Sequence, residues 1–163
     1  MSPDRMGPFF RIASDSDGEL LLPMMRDYYA FDHHCFDPEK ARTALMGLLR
    51  NPDLGRIWLI CTGETAVGYV VLTFGYSLEL LGREAFVDEF FLLESHRGMG
   101  WGRRTMEFVE QACRALEIQA IHLEVTRHNA GAQQFYAALG FADRGHHLMS
   151  KRIDPKVQKP QPR

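Results

Sequence analysis

The apolar run Ala85-Phe86-Val87-Asp88-Glu89-Phe90-Phe91-Leu92-Leu93, followed three residues later by Arg97-Gly98-Met99-Gly100-Trp101-Gly102, decides how the rest of the chain is read. A strand that ends in a glycine-rich turn and feeds a helix presents unpaired backbone N–H groups together with the positive end of the helix dipole. Such a place holds an anion, above all phosphate. Gly98, Gly100 and Gly102 carry no Cβ, so a pyrophosphate can approach the backbone closely, and Arg97, Arg103 and Arg104 can add charge around it. Glycines of this kind are also ordinary turn chemistry, so the loop needs a second feature before it names a ligand. A nucleotide P-loop is excluded, because Gly102 is followed by Arg103-Arg104-Thr105 where that loop needs lysine and a hydroxyl residue. A dinucleotide loop belongs in the first strand–helix unit, whereas this one lies in mid-chain; Glu124 on the next strand keeps that alternative open.

Outward from the loop, both flanks alternate between strand and helix signals. Upstream, Pro8 to Ala13 reads as a short strand, and Ser14-Asp15-Ser16-Asp17 offers N-caps for a helix from Gly18 to about Tyr29, in which Pro23 is placed to kink or break the first turns. Asp37-Pro38-Glu39-Lys40 starts a second helix, with Ala41, Leu45, Leu48 and Leu49 on one face. Arg56 to Cys61 and Val67 to Phe74 form a hairpin around Thr62-Gly63-Glu64-Thr65. Downstream, Trp101 to Leu116 is an amphipathic helix, Ile118 to Thr126 a strand, and Ala130 to Leu139 a short helix stopped by Gly140. The segments around Phe141 and from Leu148 to Ile153 are expected to close the sheet. One domain over residues 1–153 is expected, with residues 154–163 as a Pro- and Lys-rich disordered tail.

The bulk properties narrow the function classes. A composition of 45% hydrophobic and 25% charged residues is that of a globular domain, and a net charge of -2 gives no basic footprint for nucleic acid. Cys35, Cys61 and Cys113 are odd in number and widely spaced, which suits reduced thiols in a cytoplasm. No apolar stretch approaches a membrane span, so a cytoplasmic protein without membrane partner is expected. His33-His34 and His146-His147 are adjacent pairs with no Cys or acidic spacing to complete a tetrahedral set, so no metal is expected.

The residues then resemble the GNAT superfamily of N-acetyltransferases, whose acetyl-CoA motif is Arg/Gln-x-x-Gly-x-Gly/Ala after the fourth strand. Arg97, Gly100 and Gly102 match it. A second family segment appears as Asn129-Ala130 and Phe135-Tyr136-Ala137-Ala138-Leu139-Gly140-Phe141. The stretch Val87-Asp88-Glu89-Phe90-Phe91 is similar to the acidic pair and aromatics of spermidine/spermine-type acetyltransferases. The resemblance implies an α/β (α+β) fold with about four helices and a mostly antiparallel, twisted sheet of six to seven strands, splayed between strands 4 and 5.

It also implies a division of labour. Arg97, Gly98, Met99, Gly100, Trp101, Gly102, Arg103 and Asn129 would hold acetyl-CoA, with the backbone of Phe90, Phe91 and Leu92 bonding the pantetheine arm at a strand-4 bulge. Tyr136 stands at the family position of the acid that protonates the CoA sulfur. Asp88 takes the place of the family's glutamate base and, one methylene shorter, would act through water; Glu89 is the alternative base, and either could instead hold the cationic amine or serve the sheet as an acceptor. Neighbours on a strand face opposite sides, so only one of the two faces the substrate unless a bulge changes the alternation. Tyr28, Tyr29, Asp32, His33, Glu79 and Asp88 are candidates to wall the acceptor site, since aromatic and acidic groups suit a cationic amine. The acceptor expected is a primary amine of a small molecule, polyamine-like, acetylated directly in a ternary complex. A protein N-terminus or lysine, and a CoA-sensing domain without turnover, stand as alternatives. Similar enzymes often form homodimers, which leaves that state open.

Overall fold

Each strand in the chain is hydrogen-bonded to the next one in sequence, so the sheet has the order β1-β2-β3-β4-β5. The computed structural model describes residues 7–151 and 153. The strands are β1 (Phe9–Ile12), β2 (Gly55–Thr62), β3 (Thr65–Ser77), β4 (Gly82–Leu92) and β5 (Ile118–His122). The helices are α1 (Gly18–Phe31), α2 (Pro38–Leu49), α3 (Trp101–Ala115) and α4 (Ala130–Ala137). The first three strand pairs are antiparallel and the β4–β5 pair is parallel. Two compact units result, one ending at Thr126 and one beginning at Arg127, which contains α4.

Local chemistry accounts for most of these boundaries. Asp37 caps α2 by accepting from the Lys40 N–H, and Pro38 follows at a position whose N–H would have no helical partner. Pro23 does not break α1, which runs unbroken to Phe31. Burial of Leu21, Leu22, Met24 and Met25 on either side of Pro23 holds the helix through the missing hydrogen bond. The sheet is buried on two faces. On one, α1 and α2 cover Ile57, Leu59, Cys61, Tyr69, Val71 and Phe91. On the other, Trp101 packs on Ile60, Val67 and Leu92, while Phe108 of α3 stacks on Phe10 with ring centroids 4.2 Å apart.

Three expectations are corrected. Strand β5 ends at His122, so Leu123 to Thr126 lie beyond it as irregular chain. The segments around Phe141 and over Leu148 to Ile153 form no strand among the described residues, and the sheet has five strands instead of six or seven. Leu148, Met149 and Ile153 are exposed, so their apolar pattern finds no burial to stabilise a strand. The tail expected from Asp154 onward lies outside the described residues.

An ion pair ties β1 to the start of α1. Asp17 is buried, accepts from the Arg11 guanidinium at 2.7 and 3.0 Å and from the Ser14 N–H at 2.8 Å, and its carboxyl is held down at about 2. The Arg11 hydrogen bond is the largest cause. A depressed carboxyl stabilises the fold above its unfolded value near 3.8, and that stabilisation disappears as pH falls through about 2. Asp17→Asn is therefore expected to cost about 2 kcal/mol at pH 7, converging with the parent protein near pH 2, as read from urea midpoints at the two pH values.

Candidate active site

The site grows from one extra residue in β4. Val87 pairs with Leu72 of β3 and Glu89 pairs with Val71, so Asp88 has no partner and forms a β-bulge. Without it, Glu89 would stand opposite Val70 and point toward the α3 side. With it, Glu89 shares the face of its partner Val71, under α1 and α2, and the usual alternation between Asp88 and Glu89 is lost. The bulge expected in the fourth strand is thus located at Asp88, between the Val87–Leu72 and Glu89–Val71 pairs.

On that face three elements meet. Tyr69 of β3, two residues from Val71, donates its hydroxyl to Glu89 Oε2 at 2.7 Å. Tyr29 of α1 is near enough to both carboxylates for their charge to raise its hydroxyl, which burial first of all pushes up to about 12. Glu89 is raised to about 7, chiefly by burial; the Tyr69 hydrogen bond pulls it down, the Asp88 charge raises it, and Tyr29 pulls it down more weakly. Asp88 is likewise raised by burial, although its side chain reaches the surface. A carboxylate that titrates near neutrality beside two phenols that do not is equipped to take up a proton.

The same strand also presents an open backbone edge. Pairing of β4 with β5 stops at Phe86 opposite His122. Beyond it, the Leu93 N–H bonds the Val67 carbonyl. By antiparallel alternation Phe91 and Glu89 are then the residues tied to β3, and the main-chain groups of Phe90 and Leu92 point away from it, toward the gap. Of the three residues expected to offer an edge, Phe90 and Leu92 direct their main-chain groups away from β3, and Phe91 directs its own toward it. The Leu92 carbonyl accepts from Arg97 Nε at 2.8 Å. At the mouth of the gap His122 Nε2 is buried, 3.4 Å from Glu84 Oε2 and without a hydrogen bond.

The glycine loop follows. Gly98 and Gly100 adopt φ of 74° and 79°, left-handed values that favour glycine, and Gly100 is the residue from which α3 starts. The N–H groups of Trp101, Gly102 and Arg103 precede the first helical hydrogen bond, from Arg104 to the Gly100 carbonyl, and are open to an anion. The Trp101 side chain is buried and anchors the helix. Arg97 does not extend into the loop: its guanidinium lies 5.2 Å from the Phe31 ring and 5.8 Å from the Phe91 ring. Met99 and Arg103 are exposed.

Tyr28 and Tyr29 stand edge to face at 6.1 Å, and Tyr29 also meets Phe36. Asp32 ends α1 with its carboxylate 2.7 Å from His34 Nε2, and His33 is exposed in a left-handed turn. Glu79 is exposed in the β3–β4 turn, roughly 20 Å along β4 from Glu89 at the usual rise of a strand. In the second unit, Asn129 caps α4 by accepting from the Ala132 N–H at 3.0 Å. The Tyr136 ring meets Phe135 and Phe141 edge-on, and burial raises its hydroxyl. Among the described residues no helix is long and apolar enough to cross a membrane, and no three His, Cys, Asp or Glu side chains gather as a metal set. Tyr69 was not singled out from the sequence, where it is one aromatic in an apolar run; only the pairing of β3 with β4 reveals it.

A mixed sheet that opens between β4 and β5, with a glycine loop leading from β4 into α3 and an acidic bulge within β4, has the architecture of an acyltransferase. The model of the Acetyltransferase (GNAT) family matches residues 21–141, and the chain belongs to that family, whose acyl donor is acetyl-CoA. Over 71 residues it is 34% identical to the uncharacterized N-acetyltransferase YycN of Bacillus subtilis (strain 168), a match covering 44% of this chain and 45% of that protein. Among solved structures, the integron cassette protein HFX_CASS3 from the mobile metagenome of Cole Harbour Salt Marsh is similar with a TM-score of 0.80 and 34% identity, over 91% of this chain and 92% of that one. A possible acetyltransferase from Clostridium difficile 630 shares the fold with a TM-score of 0.82 at 14% identity, over 91% and 99% of the two chains.

Proposed function

We propose that the protein transfers the acetyl group of acetyl-CoA directly to a primary amine of a small, polyamine-like molecule in a ternary complex. The observation that carries this reading is the bulge at Asp88, which turns Glu89 onto the face shared with Tyr29 and Tyr69 while β4 keeps an open edge. Acetyl-CoA supplies an activated thioester. Phe90 and Leu92 offer main-chain groups to its pantetheine arm, and the N–H groups that open α3 receive its pyrophosphate. Glu89, through water, takes the proton that the amine loses as its nitrogen bonds to the acetyl carbon. Tyr136, the family's acid position, gives its proton to the sulfur as the carbon–sulfur bond breaks, so amine and acetyl-CoA leave as amide and free thiol. Two carboxylates beside two tyrosines favour an acceptor that arrives as a cation.

Calorimetric titration with acetyl-CoA, followed by a thiol-release screen over polyamines, amino acids, amino-sugar antibiotics and short peptides, tests the proposal. Binding with release on polyamines is the expected result. Release on peptides alone would move the acceptor to a protein N-terminus or lysine, and binding without release on any amine would leave a CoA sensor.

A further inference from the structure

We propose that Tyr69 is a positioning residue of the acetyl transfer: a buried hydroxyl, carried on β3, that holds one carboxylate oxygen of Glu89 and leaves the other to receive the acceptor's proton. The inference rests on the reading of Glu89 as the base. Three observations carry it. Tyr69 is 1% exposed, so its hydroxyl has been taken out of water and directed at one partner, Glu89 Oε2, at 2.7 Å. Its ring is fixed against Phe91, its cross-strand partner, with centroids 5.9 Å apart. The bulge at Asp88 is what brings Glu89 to the Tyr69 face, two positions along the ladder, where diagonal side chains of this length meet. The irregularity of β4 therefore has a second effect besides freeing backbone: it joins the acid to the buried hydroxyl of Tyr69.

A rotating carboxylate offers its two oxygens at random, whereas one pinned by a short hydrogen bond presents a defined lone pair to the water relay. The donor must remain protonated for this to work. Burial, and after it the Glu89 charge, keep the Tyr69 hydroxyl far above its ordinary value, so it donates throughout the working range. The groups facing Glu89 are Asp88 on its own strand, Tyr69 on β3, and Tyr29 on α1, with Tyr28 beside them acting on Tyr69. Of these, Tyr69 contributes the largest interaction that favours the ionised carboxylate.

The test is a titration of the glutamate side-chain carboxyl carbons by NMR in ¹³C-labelled protein, with the Glu89 signal assigned by its loss in Glu89→Gln. In Tyr69→Phe the ring and its packing remain but the donor is gone, so the Glu89 titration is expected to move upward by about one pH unit or more. With the best amine from the screen, the acidic limb of kcat/KM should move upward with it, and the rate at pH 7 should fall roughly tenfold to a hundredfold while acetyl-CoA affinity stays within about twofold. Should Tyr69→Phe fold poorly, 3-fluorotyrosine placed at position 69 is a stronger donor of nearly the same size and should shift the titration the opposite way. An unmoved Glu89 titration in a folded variant, or a rate loss equal at every pH, would overturn the role of Tyr69. An acidic limb that persists in Glu89→Gln would instead overturn Glu89 as the base.

Discussion

Glu89→Gln is expected to lower kcat/KM for the acceptor amine by roughly a hundred- to ten-thousand-fold at pH 8, the range that a positioned general base contributes. An acidic limb is expected near pH 7 in the parent protein and should vanish in the variant, because the group raised to about 7 is the one removed. Stability should change in the other direction. Folding raises Glu89 from 4.5 to about 7, so the folded state favours the neutral acid. The ionised form carries a cost that is absent below about pH 4.5 and complete above about pH 7. Glutamine cannot ionise and its carbonyl still accepts from Tyr69. The variant should therefore gain about 2–3 kcal/mol in urea unfolding at pH 8 and nothing at pH 4. A variant that is slower and more stable is the signature of a charge retained for function. Loss of both activity and stability would show that Glu89 serves the fold.

Tyr136→Phe is expected to reduce kcat by about a hundredfold or more while leaving the calorimetric affinity for acetyl-CoA within about twofold. The substitution removes one hydroxyl and keeps the ring contacts with Phe135 and Phe141 that hold α4. Burial raises the phenol above its usual value, so it remains a proton donor through neutral and moderately alkaline pH. The loss should accordingly be the same from pH 7 to pH 9. Poorer thiol leaving groups should suffer more than good ones, since they depend more on a proton in the transition state. Unchanged turnover, with chemistry shown to limit the rate, would remove Tyr136 from the acid role.

Much of the frame was legible in the order of residues because its signals are local. The helix start at Asp37 with Pro38, the turn around Gly63 and the glycine loop each act through neighbours within a few positions. Runs of β-branched, aromatic and other apolar residues located β2, β3 and β4 for the same reason. The failures were of another kind. Leu123 and Val125 continue the alternation of β5, and Leu148 to Ile153 is partly apolar, but such a pattern becomes a strand only where an edge and a buried face receive it. Pro23 looked like a breaker and was overruled by the burial of Leu21, Leu22, Met24 and Met25.

The glycine loop and the two adjacent carboxylates were therefore set by the chain itself: Gly98 and Gly100 permit the left-handed turn from which α3 starts. What only the tertiary structure decided is which carboxylate is turned under the helices and what it meets there. The one-residue slip at Asp88 exists only in the pairing of β4 with β3, and it moves Glu89 to the other face of the sheet. Burial there, under α1 and against Tyr69, raises Glu89 toward neutrality, and that shift comes from residues distant in sequence whose desolvating effect no local spacing records.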